Sequence, residues 1–192
     1  MRIVGGSHRG RALHAPPEQT TRPTTDRVRE SLFNILLHSP RMPGDDGRPL
    51  LEGGIVLDAF AGSGALSFEA LSRGARHAHL FEIDAAARRC ILRNAAELGL
   101  AERITLRATD ASRPGRCAAD MAADIVLLDP PYRSGLAVPV LQALEREGWL
   151  KPQALAIIES DARGSLALPP GFELVDERRQ GPARLSFLRR GD

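Results

Sequence analysis

The sequence predicts an α/β protein: a Rossmann-like, doubly wound sheet, mostly parallel, with one reversed strand near its C-terminus and a small N-terminal β-hairpin and helix in front of it. Three observations carry that expectation. From Ile55 onward, short apolar runs alternate with stretches of helical periodicity, the pattern of successive strand–helix units. The first run, Ile55-Val56-Leu57-Asp58-Ala59, leads into Phe60-Ala61-Gly62-Ser63-Gly64 and then a helical stretch, the strand–glycine turn–helix opening of a nucleotide-binding sheet. Finally, the runs 172–180 and 183–190 are separated only by Gly181-Pro182, too short for a parallel crossover, so they must pair antiparallel.

Taken in order, residues 2–5 and 11–15 read as two short strands of a hairpin around Gly6-Ser7-His8-Arg9-Gly10, ended by Pro16-Pro17. Arg22-Pro23-Thr24-Thr25-Asp26 opens a helix, with Thr24 or Thr25 as cap and Asp26 at the positive end of its dipole. Val28, Leu32, Ile35 and Leu36 form the apolar stripe of that helix. Residues 39–54, rich in Pro, Gly and Asp, read as a loop. Strands are expected at 55–59, 77–82, 104–108, 125–129 and 154–159, with helices at 65–73, 85–98, a short one near 115–122, and 137–147. Asp84 is placed to cap the second of these helices, and Gly74, Gly99 and Gly148 to close three of them. The chain is expected to form a single domain over 1–192, with a hairpin-and-helix extension at 1–38 and a catalytic core at 55–192.

At 192 residues and 43 % hydrophobic, the chain suits one well-buried core. No apolar run approaches ~18 residues, and the N-terminus enters a strand-like pattern without a signal-peptide core, so a cytoplasmic protein with no membrane partner is expected. Cys90 and Cys117 have no metal spacing and the five histidines are scattered, so no metal is inferred. Cys90 is expected to be a small buried residue of its helix. Net charge is only +2, but residues 1–41 carry seven arginines against Glu18, Asp26 and Glu30. A basic end on a near-neutral body suggests a polyanion contact there, the alternative being a solvated arginine-rich surface.

Asp129-Pro130-Pro131-Tyr132 follows the buried-strand run Ile125–Leu128. Proline has no N–H and a fixed φ, so the carbonyls of this turn are kept out of regular ladders and aim outward. Asp129 and the Pro130 carbonyl can accept both hydrogens of a planar amine, and Tyr132 can stack on the ring that carries it. Such a shelf suits an exocyclic amine on a nucleobase.

In a doubly wound sheet, ligands sit at the carboxyl ends of the strands, where Asp58, Glu82, Asp110 and Asp129 all fall. Glu82 stands 24 residues after Asp58, the spacing of an acid that holds ribose hydroxyls. The third small position of the dinucleotide fingerprint is Ser67, which argues against a pyrophosphate-bearing nicotinamide cofactor and for a nucleoside cofactor without phosphate, S-adenosyl-L-methionine. Asp110 is placed to accept from an adenine amino group, the alternative being a solvated loop acid. Trp149 reads as a core anchor rather than a base stacker.

Arg22-Pro-Thr-Thr-Asp-Arg-Val-Arg-Glu30, Asp58-Ala-Phe-Ala-Gly-Ser-Gly-Ala-Leu66 and Asp129-Pro-Pro-Tyr132, with Arg2-Ile-Val-Gly-Gly6 and Arg9-Gly-Arg11, closely resemble the bacterial 16S ribosomal RNA guanine-N2 methyltransferase family (RsmD-like), over nearly the whole chain. The Arg22–Glu30 stretch is the specific part; the glycine turn and the tetrapeptide also occur in DNA amine and glutamine methyltransferases. The resemblance implies a class I methyltransferase that uses S-adenosyl-L-methionine to methylate N2 of one guanine in 16S rRNA, acting on the RNA or on the small ribosomal subunit, without a metal and as a monomer. Its catalytic residues would be Asp129, Pro130, Pro131 and Tyr132. Its cofactor residues would be Arg22, Thr24, Thr25, Asp58, Phe60, Ala61, Gly62, Ser63, Gly64, Glu82, Ile83, Asp110 and Ala111, and its RNA contacts Arg2, His8, Arg9, Arg11 and Arg133. The 39–54 loop is longer than the family leads one to expect. A DNA adenine-N6 methyltransferase and a silent RNA-binding assembly module on the same fold are the competing readings. The first lacks room here for a target-recognition region, and the second has no need of the intact tetrapeptide.

Overall fold

In the computed structural model, which describes residues 1–16, 25–43, 47–118, 120–131 and 134–191, seven strands share one sheet. They are β1 (Ile55–Asp58), β2 (His77–Phe81), β3 (Ile104–Arg107), β4 (Ala123–Leu128), β5 (Leu150–Asp161), β6 (Phe172–Gln180) and β7 (Ala183–Arg190), in the order β3-β2-β1-β4-β5-β7-β6. β3, β2, β1, β4 and β5 pair parallel; β7 enters antiparallel between β5 and β6. The expected single reversed strand is therefore β7. The order reverses direction at β1, so β1 and β4 flank the switch point at which such sheets open a crevice.

The central strands are buried on both faces, as parallel strands must be. Val56, Leu80, Ile125, Leu127, Ile157 and Phe187 face one core together with residues of α1 (Asp26–His38), α2 (Ala65–Ser72) and α3 (Ala85–Leu98). Leu57, Phe81, Val126, Leu128, Ile158 and Leu188 face the other, under α4 (Ala137–Arg146). Trp149, 1 % exposed, anchors that second core as expected. Its ring meets Phe81 edge-on at 4.9 Å, carries the Arg107 guanidinium at 4.9 Å, and donates its Nε1–H to the Gly115 carbonyl at 2.8 Å.

Those contacts explain a correction. The helix expected near 115–122 is absent among the described residues there. Gly115 has φ +66, its carbonyl is held by Trp149, and the Cys117 N–H donates to the Glu147 carbonyl at 2.9 Å. The segment runs along the end of α4: these long-range bonds hold its start, and one local turn bond, Met121 N–H to the Ala118 carbonyl at 2.9 Å, does not propagate into a helix among the described residues. Cys90 is half-buried rather than buried.

The N-terminal hairpin is also reduced. Among the described residues Arg2 and Ala12 form its one bridge, around a 3₁₀ turn at Gly6–His8, and the Ile3, Gly10 and Leu13 N–H groups donate across it to the Arg11, Ile3 and Met1 carbonyls. Docking adds to these bonds. The Val4 N–H donates to the buried carboxylate of Glu69, which also pairs with Arg73, and the Ser72 hydroxyl bonds the Gly5 carbonyl at 2.6 Å. A Cβ on Gly6, at φ +74, would stand 2.0 Å from the Ser72 carbonyl oxygen, so only glycine lets the turn seat there. Thr25 caps α1, accepting from the Val28 N–H at 3.3 Å. Asp84 caps α3 by accepting from the Ala87 N–H at 2.7 Å, and Gly99 closes it at φ +70. No helix among the described residues is long and apolar enough to cross a membrane.

Candidate active site

Two cavities open at the carboxyl ends of the strands and meet at one ridge, Asp129-Pro130-Pro131, which lines both. The first, of about 430 Å³, lies over β1 and β2. Asp58, Phe60, Ala61, Gly62, Ser63, Glu82, Ile83, Asp110 and Ala111 all line it, which brings together most of the sequence-selected cofactor residues. The second, of about 400 Å³, lies between the start of α4, the end of β5 and the 164–167 segment.

The first cavity is built around its backbone turn. The Gly62 N–H donates to Glu82 Oε2 at 2.7 Å and the Asp84 N–H to Glu82 Oε1 at 2.8 Å, so one carboxylate ties the end of β2 to the glycine turn. Gly64 stands behind that turn as the N-cap of α2, at φ +79, where a Cβ would press on Phe68 at 2.7 Å. Asn94 of α3 clamps the other side, donating to the Ser63 and His14 carbonyls and accepting from the His14 N–H.

Ser67, at the fingerprint's third position, uses its hydroxyl to satisfy Asp58 Oδ2 at 2.9 Å inside the protein. Asp58 is 1 % exposed, and its Oδ1 is buried without a hydrogen-bond partner. Burial pushes its pKa up to about 7; the Ser67 hydroxyl opposes the rise and the nearby charge of Asp129 adds to it. Asp110 is the opposite case. It is exposed, and the Ser112 N–H at 2.8 Å, with the Ser112 hydroxyl, holds it below the usual carboxylate range. Ile83 is 70 % exposed, a large apolar side chain on the cavity wall with room for a flat ring against it.

On the ridge, the Pro131 carbonyl accepts from the Ser134 N–H at 3.1 Å, so of the two proline carbonyls only that of Pro130 accepts no hydrogen bond among the described residues. The expectation that both carbonyls stay out of local bonding is corrected at Pro131. Tyr132, Arg133, Arg22 and Thr24 lie outside the described residues.

Arg29 was not singled out by the sequence as a site residue. It is 1 % exposed, lines the first cavity, and donates from Nη2 to the Arg2 carbonyl at 2.9 Å and to Asp26 Oδ1 at 2.7 Å. The signal lay in its spacing: 29, 32, 33 and 36 share one helical face, and Leu32, Phe33 and Leu36 are all buried. Thr25 spends its hydroxyl on the cap of the same helix.

The basic N-terminal residues divide in two. Arg11 donates to the Glu97 carbonyl at 2.8 Å and the His8 ring meets the Leu98 carbonyl at 3.2 Å, so both serve the carbonyl end of α3. Arg2 pairs with Asp26 at 3.3 Å in the open, and Arg9 is exposed.

The chain is similar to known proteins in sequence and in fold. The family model described as Conserved hypothetical protein 95 matches residues 1–189. The chain is 38 % identical over 197 residues to ribosomal RNA small subunit methyltransferase D of Escherichia coli strain K12, covering 99 % of this chain and 90 % of that protein. Its structure superposes with a TM-score of 0.81 on a candidate methyltransferase, yhhF, of Escherichia coli, at 37 % identity over 100 % of this chain and 98 % of that one. For the fold alone, it also matches an RNA methyltransferase of Salinibacter ruber solved with S-adenosyl-L-homocysteine, with a TM-score of 0.63 at 17 % identity, covering 89 % and 95 % of the two chains. With the match running through the N-terminal extension, the glycine turn and the Asp129 ridge alike, the chain belongs to the Conserved hypothetical protein 95 family, the family of ribosomal RNA small subunit methyltransferase D.

Proposed function

We propose that this protein transfers a methyl group from S-adenosyl-L-methionine to the exocyclic N2 amine of a guanine in 16S rRNA. The observation that carries the reading is the pair of cavities joined at Asp129-Pro130-Pro131: one suits a nucleoside cofactor, the other a base, and the amine-binding ridge stands between them.

The residues of the first cavity fit that cofactor. Glu82, at the end of β2, is placed for ribose hydroxyls while its oxygens also hold the turn. Ile83 and Ala111 supply apolar cover for adenine, with Asp110 beside them as acceptor. The unpartnered Asp58 Oδ1 and the buried Arg29 suit the ammonium and carboxylate of an amino-acid tail. Asp58, Glu82, Asp110 and Asp129 together make the cavity acidic, which favours a sulfonium cation. When bound, S-adenosyl-L-methionine supplies an electrophilic methyl group with a neutral leaving group.

The protein's own part is alignment. The guanine N2 lone pair is delocalised into the ring and is a poor nucleophile. Asp129 and the Pro130 carbonyl accept its two hydrogens, return density to nitrogen, and turn the lone pair toward the first cavity; as the N2–CH3 bond forms and the S–CH3 bond breaks, one N2 proton leaves along the hydrogen bond to Asp129 or to solvent. Positioning of this kind is worth up to ~7–11 kcal/mol in ideal cases. A paired base cannot reach a concave ridge, so the guanine enters unpaired or flipped.

The test is incubation with methyl-labelled S-adenosyl-L-methionine and, separately, rRNA, small-subunit particles, free DNA and protein, followed by nucleoside analysis. Label in N2-methylguanosine is expected. Asp129→Ala is expected to abolish transfer while cofactor affinity, read by calorimetry, stays within a few-fold. Label in DNA adenine, or near-normal turnover in the variant, would overturn the reading.

A further inference from the structure

The second cavity holds a polar pair with no part in the account so far. Arg184, on β7 and 6 % exposed, donates from Nε at 3.3 Å and from Nη2 at 3.2 Å to the same atom, Ser160 Oγ on β5. Its Nη1 donates to the Gly164 carbonyl at 2.6 Å, and Glu177 stands 3.7 Å from Nε, so the guanidinium is held from three sides.

A hydroxyl oxygen has two lone pairs and one proton. Both N–H groups of one edge of the Arg184 guanidinium converge on Ser160 Oγ, so its proton turns away from the arginine. That proton is donated to no group among the described residues. Ser160 lines the second cavity, so the geometry there forces a hydrogen-bond donor on whatever enters. On the same wall Asp129, Glu159 and Asp161 are acceptors when ionised, and Ser134 and Ser165 carry further hydroxyls whose protons no arginine among the described residues fixes. Leu128 pairs with Ile158, so Asp129 and Glu159 follow at the ends of β4 and β5, while Ser160, the next residue of β5, turns to the sheet face it shares with Ile158. A wall with carboxylate acceptors and one fixed donor suits a base edge that carries donors and an acceptor together. Guanine has that edge in N2, N1–H and O6.

We propose that Ser160, fixed as a donor by Arg184, bonds the 6-oxo oxygen of the acceptor guanine and selects a 6-oxo over a 6-amino purine. The proposal rests on the second cavity being the acceptor pocket. Ser160 is the specificity-determining contact; Arg184 is a positioning residue that acts through it. A 2,6-diaminopurine would present the same N2 amine to Asp129 but set an amino donor against the Ser160 proton, leaving two donors facing each other.

The test uses the RNA fragment that carries the acceptor, made with either guanosine or 2,6-diaminopurine riboside at that position. The ratio of kcat/KM for the two is compared across variants. The wild type is expected to prefer guanosine by roughly a hundredfold, the scale of leaving a donor buried without its acceptor. Ser160→Ala is expected to lower that preference about tenfold or more, and Ser160→Thr, which keeps the donor, to retain it. Arg184→Gln frees the hydroxyl to rotate and should also lower the preference, with cofactor affinity by calorimetry unchanged. An unchanged preference in Ser160→Ala overturns the proposal. If the wild type methylates neither fragment, the functional reading itself falls and this proposal with it. Guanosine methylation with an unaltered preference sinks Ser160 alone.

Discussion

Asp58 ends β1 with its carboxylate out of solvent, and that position sets both its chemistry and a cost to the fold. An unfolded chain ionises this group near 3.8, whereas the folded protein delays ionisation to about 7. Between those values the folded state holds a proton that the unfolded state has lost, so this group's contribution makes stability fall as pH rises through the window and level off above it. Asp58→Asn cannot ionise and should remove that fall. Denaturant melts at pH 5 and pH 8 are expected to show the variant losing less stability than the wild type, by up to about 2.6 kcal/mol. Parallel losses would mean that the folded carboxylate ionises as freely as the unfolded one. Burial of this kind was not visible in the motif: the sequence marked Asp58 as a strand-end ligand, but nothing near it shows that Ser67 takes one oxygen and leaves the other bare.

At the scale of elements, local periodicity was a good guide wherever a segment's partners are its own neighbours. The strands, the long helices, the Asp84 cap and the reversed strand follow from apolar spacing and turn residues. The guide failed where long-range bonds outbid local ones. The 115–122 segment is held at its start by Trp149 and Glu147, and the hairpin at 2–15 is held by α2 and α3 as well as by its own bonds. That docking divides the N-terminal arginines by task. Arg11 satisfies an end carbonyl of α3, so Arg11→Ala should lower unfolding free energy by about 0.5–1 kcal/mol. Arg9 is exposed, so Arg9→Ala should leave stability alone and lower the salt slope of RNA binding by roughly 0.7 if it meets a phosphate of single-stranded RNA. Salt titrations of RNA affinity beside chemical melts separate the two. Equal slopes for wild type and Arg9→Ala would make Arg9 a solvated surface residue.

Over the whole molecule, one core runs from the N-terminal segment through α1, α2 and α3 to the inner face of β7, and Phe187 lies at its far end, fully buried. Phe187→Ala should therefore cost about 3–5 kcal/mol, a large share of the ~5–15 kcal/mol that holds a domain together. Because the core is continuous, calorimetry should still show a single, earlier transition. Two separated transitions would mean that the β5–β7–β6 side unfolds on its own. The site divides along the same line. The first cavity was legible because its residues follow one another along motifs. The second was not, because Ser160 and Arg184 meet only through strand pairing.

The insertion of β7 between β5 and β6 also orders events in time. On the ribosome, the strands that frame the methyl-donor cavity, β1 to β4, emerge before residue 130, while Arg184, which fixes the Ser160 proton, follows about fifty residues and a few seconds of synthesis later. Until then β5 has no neighbour on one side, and the base-reading wall is incomplete. On the proposed function, a nascent chain would thus be able to hold its methyl donor before it can tell one purine from another.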